Sequence, residues 1–200
     1  MIAIIDYGLG NLFSLKSSLD YIGRESVVTN DRAKISAADK IILPGVGAFG
    51  DAMQKLRENG LDVFLKKEAG KGKPFLGICL GMQILFEKGY EYGEHEGLGL
   101  LRGKVIPLSG NMGGADLKAP HMGWNSLRFV RESSLLKNTP EGAFVYFVHS
   151  FYAAENDENL AAYADYGVKV SAVVQSGNIF GTQFHPEKSG QVGLDLLRAF

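Results

Sequence analysis

The chain has 200 residues, of which 46% are hydrophobic, and its 21 basic and 22 acidic residues give a formal net charge of −1. This balance argues against a surface for nucleic acid or anionic membranes, and the single cysteine excludes an internal disulfide and fits a reducing compartment. The apolar run at residues 1–5 is too short for a signal peptide or a membrane span. We therefore expect one cytoplasmic domain over residues 1–200.

The first half of the chain alternates predicted strands and helices. Apolar or β-forming runs predict strands at residues 2–7, 26–29, 40–43 and 74–78. Helical spacing predicts one helix over residues 12–22, ended by Gly23, and a helical region up to about Ala69 that breaks near Gly60. This alternation predicts an α/β fold, an open and mostly parallel twisted sheet with helices on both faces. The active site of such a sheet lies at the carboxyl ends of its strands.

From about Gly97 the pattern changes to short strands separated by turn residues. These strands are predicted at residues 103–108, 124–130, 142–152, 160–165, 168–175 and 179–184. Some of them must be antiparallel additions to the parallel sheet. A last amphipathic helix is predicted over residues 190–200, and it would pack back on the sheet.

The strand at residues 74–78 runs into Gly77-Ile78-Cys79-Leu80-Gly81, the cysteine form of a nucleophile elbow. Small residues two before and two after the nucleophile leave room for a sharp strand-to-helix turn. Apolar residues at helical spacing predict that the following helix extends over residues 80–88. The N-terminus of that helix would favour thiolate over thiol at Cys79. The alternative is that Cys79 is only a small buried apolar residue.

A second feature is Gln183-Phe184-His185-Pro186-Glu187, which follows an apolar strand. Proline holds the preceding residue extended, and in an extended chain residues i and i+2 face the same way. His185 and Glu187 therefore project from one side, as a general base and its orienting carboxylate require. Alone, the motif would be typical of a surface turn. The other histidines (His95, His121, His149) lack metal-ligand spacing, so we expect neither a metal nor a cofactor.

Together the elbow and the His-Pro-Glu motif resemble the class I (triad) glutamine amidotransferases. Further stretches resemble, within that class, the family of glutaminase subunits of imidazole glycerol phosphate synthases, which serve histidine biosynthesis. The resemblance covers the whole chain. These further stretches are Asp6-Tyr7-Gly8-Leu9-Gly10-Asn11, Leu43-Pro44-Gly45-Val46-Gly47-Ala48-Phe49, His121-Met122-Gly123-Trp124-Asn125 and Tyr146-Phe147-Val148-His149-Ser150-Phe151-Tyr152.

The resemblance implies hydrolysis of glutamine to glutamate and ammonia. Cys79 would attack the amide carbon, His185 would move the proton, and Glu187 would orient His185. Water would then hydrolyse the γ-glutamyl thioester. The oxyanion would be bound by the N–H of Leu80 and by one N–H from Gly45, Val46 or Gly47. The glutamine pocket would be lined by Gln83, Glu91, His149, Ser150 and Phe151.

Several of these residues have simpler interpretations. Gln83 and Glu91 could be solvated residues at a helix end, and His149 and Ser150 could simply satisfy backbone groups.

Val46 is β-branched and resists a positive φ, so the resting loop is expected to point a carbonyl toward the oxyanion position. A peptide flip beside Val46, driven by ligand on a partner, would then complete the site.

The resemblance also implies a partner, a cyclase subunit with a (βα)8 barrel that receives the ammonia in a heterodimer and consumes a phosphorylated ribulosyl-carboxamide intermediate. The products would be imidazole glycerol phosphate and aminoimidazole carboxamide ribotide. Trp124 is the only tryptophan, and a core position is its alternative. The candidate interface residues are Asn11, Met122, Trp124, Tyr146 and Lys188.

Three other functions stay open at this point. The chain could serve anthranilate or aminodeoxychorismate synthesis, because those glutaminases share the triad. It could be a free-standing hydrolase of γ-glutamyl compounds, which would turn over vigorously without a partner. It could also be a non-catalytic binding or regulatory module, against which the intact Cys79, His185 and Glu187 argue.

Overall fold

A computed structural model describes residues 1–112 and 117–200. The helices are α1 (Leu12–Tyr21), α2 (Arg32–Ala37), α3 (Phe49–Glu58), α4 (Leu61–Gly70), α5 (Leu80–Gln83) and α6 (Gly190–Ala199), with 3-10 turns at Ser134–Leu136 and Pro186–Lys188. None of the helices in these two ranges has the length and apolarity that crossing a bilayer requires.

Fourteen strands form three sheets in the described part of the chain. The main sheet has eight strands, in the order β2-β1-β3-β4-β14-β13-β12-β9, and its first five strands are mutually parallel. The other three strands are antiparallel additions, as predicted. The main-sheet strands are β1 (Ile2–Ile5), β2 (Ser26–Thr29), β3 (Lys40–Gly45), β4 (Phe75–Cys79), β9 (Arg128–Phe129), β12 (Leu160–Asp165), β13 (Lys169–Ser176) and β14 (Ile179–Thr182).

Two smaller sheets complete the fold. One is the antiparallel pair β8 (His121–Ser126) and β10 (Phe144–His149). The other has the order β11-β7-β5-β6. Its strands are β5 (Phe86–Gly89), β6 (His95–Glu96), β7 (Leu101–Pro107) and β11 (Phe151–Ala154).

The main sheet is buried on both faces, as the predicted α/β fold requires. In β1, Ile2 and Ile4 join one core cluster and Ala3 and Ile5 join the other, because successive side chains point to opposite faces. The first cluster contains apolar residues of α1 and α6, and the second contains those of α2, α3 and α4. The prediction of helices on both faces is thereby confirmed.

The predicted helix over residues 80–88 is wrong, since α5 ends at Gln83 and β5 begins at Phe86. The carbonyls of Ile84 and Leu85 accept hydrogen bonds from Leu98 and Leu100, far along the chain, in place of helical partners. Lys88 pairs with β6 and β7. A short apolar run is compatible with a buried helix or a buried strand, and only distant pairing decides between them.

Other elements also differ from the sequence expectation. Helix α2, begun by Asp31, whose side chain accepts from the N–H of Ala33, had no predicted counterpart. The single strand expected over residues 124–130 is divided between β8 and β9, and the one over residues 142–152 between β10 and β11. In both cases the two parts lie in different sheets, so the chain leaves one sheet for another within a run that looks continuous in sequence.

Candidate active site

The strand-to-helix turn at the end of β4 holds Cys79 in a strained conformation, with φ 55° and ψ −113°. A Cβ on Gly81 would lie 1.8 Å from the Leu43 carbonyl oxygen, and one on Gly77 would lie 2.5 Å from the Gly81 oxygen. Neither position accepts a side chain without moving backbone. Both glycines therefore permit the close approach of β3, β4 and α5 that forms the turn.

His185 and Glu187 lie beyond β14, at the same end of the sheet. His185 Nδ1 is 2.8 Å from Glu187 Oε1, and both side chains are almost completely buried. The backbone N–H of His185 donates to the Tyr146 carbonyl oxygen at 3.1 Å. Asn11 Nδ2 donates to the same Glu187 oxygen at 3.4 Å. The carboxylate thus fixes the ring orientation and leaves Nε2 for the reaction.

The environment of His185 favours its charged form. Burial opposes the charge, but the hydrogen bonds with Cys79 and Glu187 and their negative charges raise the pKa of His185 to about 10, from its usual 6.5. A protonated imidazole beside Cys79 can give its proton to a leaving group and then act as a base.

A cavity of about 370 Å³ lies beside Cys79 and His185. It brings together all five residues expected in the glutamine pocket and three of the four expected around the oxyanion. Gly45 does not line it, because Gly45 is buried in β3 opposite Cys79. Two lining residues, Pro120 and Val148, were not expected. The lining consists of Val46, Gly47, Cys79, Leu80, Gln83, Glu91, Pro120, Val148, His149, Ser150, Phe151 and His185.

The loop after β3 is held at both ends. Tyr7 donates from its hydroxyl to the Pro44 oxygen at 2.9 Å, and burial followed by the charge of Cys79 raises the pKa of Tyr7. At the other end, Glu91 Oε2 accepts the N–H of Phe49 at 2.8 Å, where α3 begins. Between these anchors Gly47 has φ 101°, whereas Val46 has no positive φ.

Gln83 and His149 meet at one carbonyl. Gln83 Nε2 donates to the Phe151 oxygen at 2.8 Å, and His149 Nδ1 lies 2.8 Å from the same oxygen. Gln83 is 5% exposed, so the solvated interpretation of Gln83 is wrong. Burial lowers the pKa of His149 to about 3, although the Phe151 carbonyl opposes this effect.

The structure brings together two histidines that the sequence left scattered. His121 Nδ1 lies 3.0 Å from His149 Nε2, and burial lowers the pKa of His121 to about 4. Since His149 Nδ1 must donate to a carbonyl, its Nε2 is the acceptor and His121 Nδ1 the donor. No motif spacing signals this pair, because the residues belong to different strands, β8 and β10.

Gln183, for which the sequence predicted no role, is fully buried with its Nε2 3.8 Å from Cys79 Sγ. A signal was present, because Gln183 lies two residues before His185 and the alternation that groups His185 with Glu187 includes it.

The candidate interface residues do not share one environment. Met122 and Trp124 on β8 are 62% and 55% exposed, so the core alternative for Trp124 is wrong. Trp124 packs edge-on against half-buried Tyr146 with ring centroids 6.1 Å apart, and Lys188 Nζ lies 6.0 Å from the Tyr146 ring. Asn11 is turned toward Glu187.

Imidazole glycerol phosphate synthase subunit HisH of Oceanobacillus iheyensis is 51% identical over 201 residues, covering 100% of this chain and 98% of that protein. The protein of the same name from Bacillus licheniformis is 53% identical, covering 100% of this chain and 95% of that protein.

Solved structures share the fold. A crystal structure of a glutamine amidotransferase matches with a TM-score of 0.77 at 18% identity, covering 100% of this chain and 98% of the other. The structure of PurLQS from Thermotoga maritima matches with a TM-score of 0.71 at 22% identity, covering 99% of this chain and 95% of the other. The family model for glutamine amidotransferase class-I matches residues 3–200. The chain belongs to the class-I glutamine amidotransferase family.

Proposed function

We propose that this chain, as one glutaminase domain over residues 1–200, is the glutaminase subunit of an imidazole glycerol phosphate synthase in histidine biosynthesis. It hydrolyses the side-chain amide of glutamine and passes the ammonia to a cyclase subunit. The observation that carries the chemistry is the meeting of Cys79 and His185 at one cavity, with Glu187 hydrogen-bonded behind the imidazole at 2.8 Å. The choice of synthase rests on relatives 51% and 53% identical along the whole chain.

The reaction proceeds through a thioester. Cys79 Sγ attacks the amide carbon of glutamine and the C–N bond breaks, while the proton on His185 goes to the departing ammonia. Water then attacks the γ-glutamyl thioester, and His185 takes a proton from it as a base. The C–S bond breaks, glutamate leaves and Cys79 is restored. Glu187 keeps the imidazole aligned through both steps and stabilises its charged form.

Two groups of residues support this chemistry. The N–H of Leu80 at the start of α5, with one from the loop at Val46 and Gly47, stabilises the tetrahedral oxyanion. The substrate binds in the cavity of about 370 Å³. Its predicted contacts are Gln83, Glu91, His149, Ser150 and Phe151.

The partner is proposed to be a (βα)8-barrel cyclase that forms a heterodimer with this chain. It would use the ammonia to convert a phosphorylated ribulosyl-carboxamide intermediate into imidazole glycerol phosphate and aminoimidazole carboxamide ribotide. The exposed side chains of Met122 and Trp124 support a docking surface on β8. A cytoplasmic location stays a prediction. The proposed contact residues are Asn11, Met122, Trp124, Tyr146 and Lys188.

The deciding experiment mixes the purified chain with the cyclase subunit and, separately, with the synthases for anthranilate and aminodeoxychorismate. Each acceptor enzyme is supplied with its own substrate and with glutamine or ammonium salt. We expect glutamine-dependent product only with the cyclase. Glutamine-dependent product with another synthase, or glutaminase activity that is equally fast with no partner, would contradict the proposal.

A further inference from the structure

A fully buried amide side chain contacts the nucleophile. Gln183 follows β14, its side chain is fully buried, and its backbone N–H donates to the Ala172 oxygen at 3.0 Å. Its Nε2 lies 3.8 Å from Cys79 Sγ, within hydrogen-bonding distance for sulfur. The main chain that carries this amide follows directly after β14 and is hydrogen-bonded to β13.

A backbone carbonyl decides which end of this amide faces the sulfur. The Phe151 oxygen can only accept, so the Gln83 side chain must present its nitrogen there, at 2.8 Å. The same nitrogen is 3.0 Å from Gln183 Oε1. Gln183 must therefore present its oxygen to Gln83 and its nitrogen to Cys79. The reverse orientation would place two amide nitrogens against each other and an oxygen against the sulfur.

The Phe151 carbonyl, where this series of hydrogen bonds begins, is itself anchored. His149 Nδ1 lies 2.8 Å from the Phe151 oxygen, and His121 lies 3.0 Å behind His149. The Phe151 oxygen thus accepts two hydrogen bonds, one from Gln83 and one from His149, which hold its direction. The order of hydrogen bonds from Phe151 through Gln83 and Gln183 ends in an N–H donor aimed at Cys79.

We propose that Gln183 is a further catalytic residue, which stabilises the Cys79 thiolate by donating a side-chain hydrogen bond to Sγ, and that Gln83 is the positioning residue that orients it. The inference deepens the proposed glutaminase function and rests on it. A hydrogen bond to a charged acceptor is stronger than one to a neutral group. It therefore favours thiolate over thiol in the resting enzyme.

The other neighbours of the sulfur differ in their effect on the thiolate: one opposes it, two are neutral and one favours it. The Val148 carbonyl oxygen, 4.0 Å from Sγ, accepts from the thiol and opposes the thiolate. Tyr7 is buried and neutral, and its hydroxyl is directed to Pro44. His149 is neutral too, whereas protonated His185, backed by Glu187, favours the thiolate. Gln183 supplies a donor that keeps its proton throughout the reaction, whereas His185 gives its proton to the departing ammonia.

The test is the rate of alkylation of the full chain by iodoacetamide against pH, in wild type and in Gln183→Met. The single cysteine makes every alkylated thiol Cys79. Methionine is similar in size but donates no hydrogen bond, so we expect half-maximal alkylation about one pH unit higher. This is the low end for a hydrogen bond to a charged group, because 3.8 Å is long. In the complex with the cyclase, kcat with glutamine should fall about tenfold with little change in KM.

Two further variants separate this role from a general effect on folding. Thr182→Val is the matched control, since Thr182 is equally buried one residue away and its hydroxyl has no partner within the described residues. We expect it to alkylate like wild type. Gln83→Met removes the anchor of Gln183 and should shift the alkylation profile part of the way. Alkylation needs no glutamine, so an altered glutamine pocket does not affect it.

Equal alkylation profiles for wild type and Gln183→Met would overturn the proposal, as would an equal shift in Thr182→Val. If Gln183→Met does not fold, an unshifted profile in Gln83→Met overturns it. These results are independent of the partner. Failure of glutamine-dependent synthesis by the wild-type complex would instead overturn the proposed function.

Discussion

At the scale of single residues, chemistry and strain meet at Cys79. Its φ of 55° and ψ of −113° lie in a sparsely populated region, where a residue costs on the order of 1–3 kcal/mol. Close packing at Gly77 and Gly81 maintains this conformation. The strain exposes the sulfur to the cavity while its main chain stays in the sheet. Such outliers persist only where the surrounding structure determines them.

Cys79→Ala should abolish glutamine hydrolysis and leave the fold intact, because it removes only a small thiol. The complex should still make product from supplied ammonium, since the acceptor chemistry lies in the partner. His185→Ala should be about as severe, because members of a catalytic unit are not additive. Both variants are assayed with glutamine and with ammonium salt. More than trace glutaminase activity in Cys79→Ala would contradict its assignment as the nucleophile.

Val46→Gly should raise the glutaminase activity of the free subunit. Val46 has no positive φ in the structure. The expected flip, which would turn an N–H toward the oxyanion, would require a conformation that costs a β-branched residue roughly 1–2 kcal/mol. Glycine removes this cost, so basal activity should rise about five- to thirtyfold, with less change in the liganded complex. Val63→Ala, which changes an exposed residue of α4, is the control. A basal rate unchanged by Val46→Gly would exclude this strain as the restraint.

At the scale of elements, β8 and β10 connect the proposed docking surface to the candidate active site. Alternate residues of β8 face opposite ways, so Met122 and Trp124 are exposed while His121 is buried against His149. His121 also stacks between Phe147 and Tyr166, with ring centroids 4.5 and 3.9 Å away. A displacement of β8 on docking would therefore reach His149, which lines the cavity.

Trp124→Ala should weaken binding of the cyclase subunit more than tenfold without lowering the free energy of unfolding. Trp124 is 55% exposed in the free chain, and buried aromatic anchors at an interface contribute about 2 kcal/mol or more. Titration calorimetry measures Kd and urea unfolding measures stability. Val63→Ala should change neither quantity. An unaltered Kd for Trp124→Ala would remove β8 from the proposed interface.

At the scale of the whole molecule, buried histidines link stability to pH in opposite ways. His121 and His149 have pKa values lowered by burial to about 4 and 3, so unfolding releases them to bind protons near pH 6.5. Their contribution to the free energy of unfolding is present above pH 6.5 and is lost as pH falls. The raised pKa of His185, about 10, contributes stability below pH 6.5 that is lost as pH rises toward 10.

Between pH 6 and pH 4.5 we therefore expect the free energy of unfolding to fall by up to about 1.4 kcal/mol per pH unit for each of His121 and His149. His121→Phe keeps a ring between its aromatic neighbours but does not titrate, so it should reduce this slope by about half. Urea unfolding at several pH values measures both slopes. A stability that is flat over this range in wild type would show that these histidines are not neutral in the folded chain.

The sequence by itself determined the features that depend on near neighbours. A strained turn between strand and helix needs small residues at Gly77 and Gly81, and an extended His185-Pro186-Glu187 places two side chains on one face. Both requirements are local, so both can be read from a few residues. The apolar strands buried on both faces likewise indicated the parallel sheet, because central strands have no polar side.

Tertiary structure alone decided the features that depend on distant partners. Residues 84–87 leave the helical path because their carbonyls accept hydrogen bonds from the N–H groups of residues 97–101. His121 and His149 pair across two strands, and Gln183 is aimed by a carbonyl 32 residues earlier in the chain, Phe151, through Gln83. A buried polar group must find a donor or acceptor, but the sequence does not say which one is near. That choice follows from how the strands are ordered in space.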